Sequence, residues 1–220
     1  GDHRDLHSFP TRRSSDLACH SWAGGLFVFP DGKNQESSSE AINAYYAIAL
    51  LGQVLQDANL INHGIALFNL EIIAAQTYWH MTDTSIYPPP FSHNGTVGIV
   101  WSGKVDYSTW FGSNPEYIHC IQMIPFTPVS ELLFSENWIH QVIDCIGDLK
   151  CQSGWKGFIW MSMSVIDKEA SLRGFVEIDG DPDEGNSVTN ALYWIATRPL
   201  PGSSLDGCQP QLMDKTLSNR

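Results

Sequence analysis

The run from Gly32 to Tyr46, which reads GKNQESSSEAINAYY, constrains this chain more than any other segment. Ser37 followed three residues later by Glu40 is the pattern of a capping box, in which a hydroxyl and a carboxylate each satisfy a free backbone N–H of the first helical turn. Nearly all of the next ten residues are apolar. Because a helix that is apolar almost all round is buried, the sequence predicts a buried helix whose N-terminus opens onto something polar.

Two acidic residues, Glu36 and Glu40, lie at this helix start. For Glu40, the attraction of an acid to the positive end of the helix, worth roughly 0.3–1 kcal/mol, explains the residue as well as a functional role does. Glu36 lies before the helix, in a segment too poor in apolar groups to serve packing alone. We expect the helix end to hold Glu36 ionised, which suits a base or a charge stabiliser and suits an acid poorly.

Composition limits the class of partner. A length of 220 residues suits one domain or most of one, and 43% hydrophobic residues suffice for a sizeable core. The net charge of −12 argues against nucleic acid or an anionic membrane as partner and leaves a neutral polar ligand compatible. No apolar run of 18 residues is present, so we expect no transmembrane helix. The five cysteines show no CxxC spacing, and we expect no metal or cofactor; pairing of Cys145 with Cys151 stays open.

The sequence predicts a mainly α fold, with paired helices wound into a toroid. Strand-like alternation is limited to Val97–Trp101 and Gly25–Phe29 and predicts short strands in loops. Several helices have start signals, at Ser37, Asn114-Pro115, Ser135 and Asn186-Ser187. The predicted helices run over 38–56, 60–80, 116–124, 128–134, 136–149, 156–167 and 188–197.

The two ends of the chain are predicted to lie outside the folded domain, which we place at 18–199. Residues 1–17 contain no apolar periodicity, and the stretch SFPTRRSSDL within them resembles the translation of a sequencing-library adapter. We exclude 1–17 from the fold as an artefact; the alternative is a disordered basic arm. Residues 200–220 open with Pro-Gly-Ser-Ser and predict a mobile tail.

A series of blocks along the chain resembles glycoside hydrolase family 81, the endo-β-1,3-glucanases. From Cys19 the chain reads CHSWAGGLFVFPDGKNQESSSEA, and AAQTYWHM, VGIVWSGKVDYSTWFG, PEYIHCIQMIPFTPVSELLF, GWKGF and GNSVTNALYWIATRP follow in order, as far as Pro199. A set of co-linear blocks is far more specific than one motif. The resemblance implies an (α/α) barrel, incomplete at its N-terminal side, and endo-hydrolysis of β-1,3-glucan of the laminarin or callose type by an inverting mechanism.

The resemblance also implies roles for the two glutamates. It makes Glu36 the general base and Glu40 the second carboxylate of the site. If both were helical, their Cβ atoms would be ~5–6 Å apart, a closeness that by itself favours a retaining pair over an inverting one. The family's general acid is an aspartate in an upstream Asp-His-His-x-His-Tyr-Gly type segment, and nothing in this sequence matches it; Asp16 does not have the role. We therefore assign no acid and expect the polypeptide as written to be inactive or nearly so.

The other candidates are expected to bind the β-1,3-glucan polysaccharide. For the aromatic residues the alternative is core packing, and for the polar ones it is a solvated loop. Of the two adjacent tyrosines, we expect one to face the core and one the cleft. The acidic stretch at 178–184 resembles a calcium loop only loosely, and a plain acidic turn is favoured. The candidates are His20, Trp22, Lys33, Gln35, Tyr45, Tyr46, Trp79, His80, Trp101 and Asp106.

Two other classes of function remain. A non-catalytic β-glucan-binding protein would use the same aromatic residues and carboxylates. A helical-toroid lyase or cyclase would need an Asp-rich metal motif or a paired His/Tyr base, and neither stands out. The sequon Asn94-Gly95-Thr96 favours a secreted protein, extracellular or in the cell wall, although no signal peptide is present in this sequence. The oligomeric state is left open.

Overall fold

The computed structural model describes residues 19–23, 29–83, 85–147, 154–178 and 185–198. These ranges are mostly helical, which confirms the mainly α prediction, whereas the closure of a toroid stays a prediction. The predicted ends at 1–17 and 200–220, and most of the predicted strand at 25–29, lie outside the described residues. The described ranges contain eight α-helices: α1 (Ser38–Leu55), α2 (Ala58–Tyr78), α3 (Pro115–Cys120), α4 (Ser130–Leu133), α5 (Glu136–Ile146), α6 (Lys156–Met163), α7 (Lys168–Val176) and α8 (Val188–Thr197).

Most helix starts follow the capping signals in the sequence. Ser37, Ser135 and Ser187 each accept a hydrogen bond from the backbone N–H three residues later, at 3.3, 3.2 and 3.1 Å. Asn114 precedes α3 as predicted, but its amide donates to the Glu116 carboxylate instead of capping the helix. These caps explain why the predicted starts of α1, α5 and α8 coincide with the observed ones.

One helix, α7, was not predicted. We expected a single helix over 156–167, but α6 ends at Met163. Asp167 then caps a new helix, because its carboxylate accepts a hydrogen bond from the Ala170 N–H at 2.8 Å. An aspartate at the start of KEASL is an N-cap signal that the apolar pattern before it concealed.

Helices α1 and α2 form an antiparallel hairpin in which the two backbones nearly touch. A Cβ on Gly64 would lie 2.6 Å from the backbone nitrogen of Ala49, and one on Gly52 would lie 2.7 Å from that of Ile61. By length and composition alone α2 could cross a membrane. In this structure one side of α2 packs into the main core, which is formed by Ile42, Tyr45, Leu67, Phe68, Ile72, Met123, Phe126, Leu133, Trp138, Ile139, Phe158, Phe175, Trp194 and Ile195, among others.

A small antiparallel sheet lies beside the start of α1, and its two faces contact different sets of residues. Its strands are β1 (Asn34–Gln35), β2 (Ile99–Trp101) and β3 (Val105–Asp106), in that order. Directly opposite residues share a face, and successive residues alternate. The register therefore places Asn34, Trp101 and Asp106 on one face, and Gln35, Val100 and Val105 on the other.

Cys145 is a free thiol whose Sγ donates to the His93 carbonyl at 3.3 Å. Cys145 therefore does not form the disulfide with Cys151 that the sequence left open. Cys151 itself lies outside the described residues.

Candidate active site

The serine run before and within the first turn of α1 is buried and bonded to the segment that follows α3. Ser37 Oγ donates to the Ile121 carbonyl at 2.8 Å, and Ser39 Oγ donates to the Ile124 carbonyl at 2.5 Å. The segment thus packs against its neighbours through polar groups. From its lack of apolar residues we had expected that packing alone could not explain it. Its hydrogen bonds fix the position of the helix N-terminus.

Gln122 connects this serine run to the sheet. Its Oε1 accepts from the Ser38 N–H at 3.1 Å and from the Ser38 hydroxyl at 2.9 Å. Its Nε2 donates to the carbonyls of Glu36, at 2.7 Å, and Gly98, at 3.1 Å. A fully buried amide with both ends satisfied specifies one arrangement of its surroundings. Sequence reasoning missed Gln122 because its partners are distant along the chain and no local pattern marks it.

Glu36 is sheltered and lies just outside the helix, since Ser37 is the N-cap of α1. Its side chain is 8% exposed, and its Oε1 has no hydrogen-bond partner. Burial raises the pKa of Glu36, a hydrogen bond from the Trp110 backbone N–H lowers it in part, and the nearby charge of Glu40 raises it further. We expected the helix end to keep this carboxyl ionised. The pKa of Glu36 moves instead in the opposite direction, because burial removes water from the charged form.

Glu40 differs from Glu36 because its side chain is exposed, in the first turn of α1. Its N–H donates to Ser37 Oγ, but within the described part of the chain the Glu40 carboxylate returns no bond to the cap. Only half of the predicted capping box forms, and the carboxylate faces solvent. Since Glu36 is not helical, the spacing expected of two residues on one helix does not apply, and the inference towards a retaining pair loses its basis.

Trp101 and Asp106 share the face of the sheet that carries Asn34, two residues before Glu36. The indole Nε1–H of Trp101 donates to Asp106 Oδ2 at 2.7 Å. Lys104 bonds to the same carboxylate at 3.3 Å and to Asp31 at 2.9 Å, with its ammonium 5.2 Å from the centre of the Trp101 ring. The role of Asp106 in this structure is thus to orient the Trp101 ring.

Two exposed aromatic residues that we did not predict lie in the turn whose Trp110 N–H bonds to the Glu36 carboxylate. Trp110 and Phe111 are 50% and 53% exposed, and they occupy the tip of a turn. The Phe29 ring lies 5.7 Å from that of Trp110 and 6.1 Å from that of Trp101, so these rings form one continuous aromatic surface. The sequence signal was the TWFG at the end of the block VGIVWSGKVDYSTWFG; we quoted that block for the family resemblance but named no site candidate in it beyond Asp106.

Three predicted binding residues lie in the interior instead. Tyr45 and Trp79 are fully buried, and the His80 ring stacks on Trp138 with 3.5 Å between centroids. Burial lowers the pKa of His80 to about 3, so the ring is neutral. Because no part of these side chains reaches the surface, they cannot contact a polysaccharide here, and core packing, the alternative for these aromatic residues, is correct.

His20 and Trp22 lie on the opposite side of the sheet from Trp101. His20 is buried, with its ring 4.4 Å from that of Trp22 and 5.0 Å from that of Trp79. Burial lowers the pKa of His20. Trp22 is half-buried against the small core that contains Val100. The sheet therefore separates His20 and Trp22 from the face that carries Trp101.

The remaining predicted residues divide between packing and solvent. Tyr46 is half-buried, with its ring 6.3 Å from that of Phe68. Tyr45 faces the core, as expected of one of the two tyrosines, and Tyr46 packs beside Phe68. Gln35 is buried and donates to the Ser37 carbonyl at 2.7 Å. Lys33 is exposed.

Unpartnered polar atoms mark the segment that leads to Glu36. Both side-chain amide atoms of Asn34, Oε1 of Gln35 and Oε1 of Glu36 are buried without a hydrogen-bond partner. Buried polar atoms are normally satisfied by protein, water or ligand. Three such residues in a row therefore indicate a place that takes up water or a polar ligand.

Glu71 is a buried carboxyl group that sequence reasoning missed. It lies on α2, is 1% exposed, accepts a hydrogen bond from the Ser21 N–H at 2.7 Å, and lies 3.3 Å from the Ser21 hydroxyl. Burial raises the pKa of Glu71 to about 8, against smaller opposing effects of the two Ser21 bonds. Glu71 is thus protonated at neutral pH. It is not the missing general acid, because it is enclosed and bonded to Ser21.

The described ranges hold no group of three or more His, Cys, Asp or Glu side chains arranged to bind a metal ion. The acidic stretch that resembles a calcium loop lies almost entirely at 179–184, outside the described residues.

This helical chain thus presents a buried carboxyl group, Glu36, an exposed one, Glu40, and the exposed rings of Trp110 and Phe111; paired carboxyl groups are what glycoside hydrolases use. A sequence profile described as the glycosyl hydrolase family 81 C-terminal domain matches residues 2–195. The chain belongs to this family. The match includes residues 2–17, which we excluded from the fold and which lie outside the described structure, so the boundary at Ala18 stays a prediction.

Relatives in plants, fungi and bacteria are similar to this chain. A glucan endo-1,3-beta-D-glucosidase from Glycine max is 40% identical over 81% of this chain and 28% of its own length. Glucan endo-1,3-beta-D-glucosidase 2 from Saccharomyces cerevisiae is 36% identical over 84% and 25%. The solved structure of a mutant glycoside hydrolase family 81 protein from Clostridium thermocellum has a TM-score of 0.72 at 31% identity, over 81% of this chain and 25% of that one. The chain spans about a quarter of the length of these relatives.

Proposed function

We propose that this chain forms part of an endo-β-1,3-glucanase that hydrolyses laminarin- or callose-type glucan with inversion at the anomeric carbon. The observation that carries the proposal is the sheltered Glu36 carboxylate, whose Oε1 is unpartnered beside an exposed aromatic surface. Membership of glycosyl hydrolase family 81 and the names of the similar glucanases support the choice of β-1,3-glucan over other polysaccharides.

In this proposal Glu36 is the general base. An inverting enzyme needs a carboxylate that takes a proton from the attacking water and an acid that protonates the leaving oxygen. Oε1 of Glu36 is buried without a hydrogen-bond partner, so it retains an acceptor for a water that enters the site with the substrate, and the Trp110 N–H holds the carboxylate in place. Glu40 supplies a second negative charge at the helix start. No residue of this chain is assigned as the acid.

Hydrolysis and binding of defined β-1,3-oligosaccharides test this proposal. We expect the chain to bind laminarihexaose and to hydrolyse laminarin slowly or not at all. If hydrolysis is detected, ¹H NMR should show the α-anomer as the first product, and Glu36→Gln should abolish turnover. Full endo-activity from this polypeptide would contradict the absence of an acid, and a β-anomer as first product would contradict inversion.

A non-catalytic β-glucan-binding protein is the second candidate, favoured by the lack of an assigned acid. It predicts saturable binding of laminarihexaose with no turnover under any condition. Restoration of activity when the chain is joined to a polypeptide with the missing acid motif would exclude the binding-only function.

We also propose that the protein is secreted to the cell wall or the medium. The sequon supports this location: Asn94 is partly exposed at the end of a short 3-10 turn, while Thr96 is buried and accepts a bond from the Trp138 indole at 3.1 Å. Expression in a secreting eukaryotic host should give a glycosylated form that Asn94→Gln removes. With a host leader peptide joined to the chain, a product that carries no glycan at Asn94 would contradict the proposal.

A further inference from the structure

The turn that contains Trp110 and Phe111 is closed by its own hydrogen bonds. The Thr109 N–H donates to the Gly112 carbonyl at 2.8 Å. The Thr109 hydroxyl oxygen accepts from the N–H groups of Phe111, at 3.3 Å, and Gly112, at 2.9 Å. Because Thr109 is itself buried, the base of the turn is anchored and its two central residues project outwards.

Both rings are held in position although half of each is exposed. The Phe111 ring stacks on Trp155 with 5.8 Å between centroids and 17° between planes, and it lies 5.6 Å from the Tyr117 ring. A Cβ on Gly112 would lie 2.7 Å from Tyr117, so only glycine allows this approach. A ring that is already ordered loses little conformational freedom when a ligand stacks on it.

The turn is also joined to Glu36. Since Thr109 Oγ1 takes the N–H groups of Phe111 and Gly112, the Trp110 N–H remains for the Glu36 carboxylate. One residue therefore contacts the candidate base through its backbone and exposes an indole beside it. Contiguous exposed apolar patches with polar groups beside them are typical of binding surfaces, and here two exposed rings adjoin a buried carboxyl group.

We propose that Trp110 and Phe111 form a stacking platform for a glucosyl unit of β-1,3-glucan next to the bond that faces Glu36. This inference rests on the proposed function and extends it to a sugar-binding subsite. The ring carbons of a β-glucosyl unit present an apolar face that matches an indole, while its hydroxyl groups remain free for polar neighbours. Backbone bonding to Glu36 means that a sugar on this platform lies at a fixed offset from the carboxylate.

Isothermal titration of laminarihexaose into the full chain and its variants tests the platform. Trp110→Ala and Phe111→Ala should each weaken binding, the former about tenfold, and Trp110→Phe should restore most of the loss because it keeps an aromatic face. The matched control is Tyr193→Ala. Tyr193 is 66% exposed on α8, which packs on α6 and α7, and its removal should leave affinity unchanged.

The outcomes separate this inference from the proposed function. Wild-type binding that Trp110→Ala leaves unchanged would overturn the platform while the function stands. Wild-type chain that does not bind laminarihexaose at all would overturn both. An equal loss in Trp110→Ala and Tyr193→Ala would also overturn the platform, because the effect would not be specific to the turn. Far-UV circular dichroism and the Trp110→Phe variant show whether a loss comes from misfolding.

Discussion

Replacement of Glu71 by glutamine should remove a large pH dependence of stability. Glu71 accepts hydrogen bonds from the Ser21 N–H at one carboxyl oxygen and from the Ser21 hydroxyl at the other. Glutamine keeps the acceptor for the Ser21 N–H and places an NH₂ group at the second position, where the Ser21 hydroxyl oxygen, which donates to Glu71 in the wild type, can accept from it. The variant therefore mimics the protonated acid and cannot ionise.

The magnitude follows from the folded pKa of Glu71. In the unfolded chain this carboxyl ionises near 4.5, whereas burial raises its pKa to about 8 in the folded protein. The folded state thus holds more protons between these values, so stability falls as pH rises through this window. The full difference corresponds to at most about 5 kcal/mol above pH 8, and local opening of the Ser21 segment would reduce it.

Urea unfolding followed by tryptophan fluorescence measures this effect. Between pH 5.5 and pH 8, the difference in free energy of unfolding between Glu71→Gln and wild type should grow by about 1.4 kcal/mol for each pH unit. The buried histidines, His20, His80 and His119, contribute equally to both proteins and cancel in the difference. Glu169→Gln, which alters an exposed carboxylate on α7, is the matched control and should show no such trend.

A difference that stays constant over this range would refute the reasoning, because it would mean that Glu71 does not titrate differently in the folded state. Glu71→Ala gives a second check. It leaves the Ser21 N–H without its partner and should destabilise the protein at every pH, by about 1–3 kcal/mol at acidic pH.

Three further predictions concern the site. Glu40→Gln removes a charge that raises the pKa of Glu36, so the Glu36 carboxyl should titrate at lower pH by ¹³C NMR; an unchanged midpoint would contradict the coupling. Gly98→Ala should destabilise the fold by about 1–3 kcal/mol, because a Cβ there would overlap a backbone carbonyl, whereas Gly103→Ala, with open space around it, should not. Gln122→Ala should cost about 1–3 kcal/mol for each polar group left unpaired and weaken laminarihexaose binding; wild-type stability would show that water replaces the amide.

Local chemistry explains which parts of the fold were predictable. Ser37, Ser135 and Ser187 cap their helices as expected, because a cap depends on groups three residues apart. The second start, at Asp167, was missed because an apolar pattern continued across it. The short strands were predicted near 97–101, but only the pairing showed that their two faces lead to different surroundings.

The candidate site was predicted in part. Glu36 and Glu40 came from the motif. Trp101, which was also predicted, lies on the sheet face that carries Asn34, two residues before Glu36. Tyr45, Trp79 and His80 were candidates because of their positions in the family's blocks, and one tyrosine of the Tyr45–Tyr46 pair was expected in the core; all three are buried, because an aromatic ring fits a core as well as a sugar. Trp110, Gln122 and Glu71 were missed because burial and hydrogen bonding, not residue type, distinguish them.

The sequence by itself determined the helical class, the caps and the family, because each depends on residues close together in the chain or on blocks in a fixed order. Only the tertiary structure decided the environment of each group. Ionisation of Glu36 depends on how much water remains around it, and that is set by Trp110, Gln122 and the sheet, which come from distant parts of the chain. Solvation and proximity are properties of the folded surface, and no local pattern encodes them.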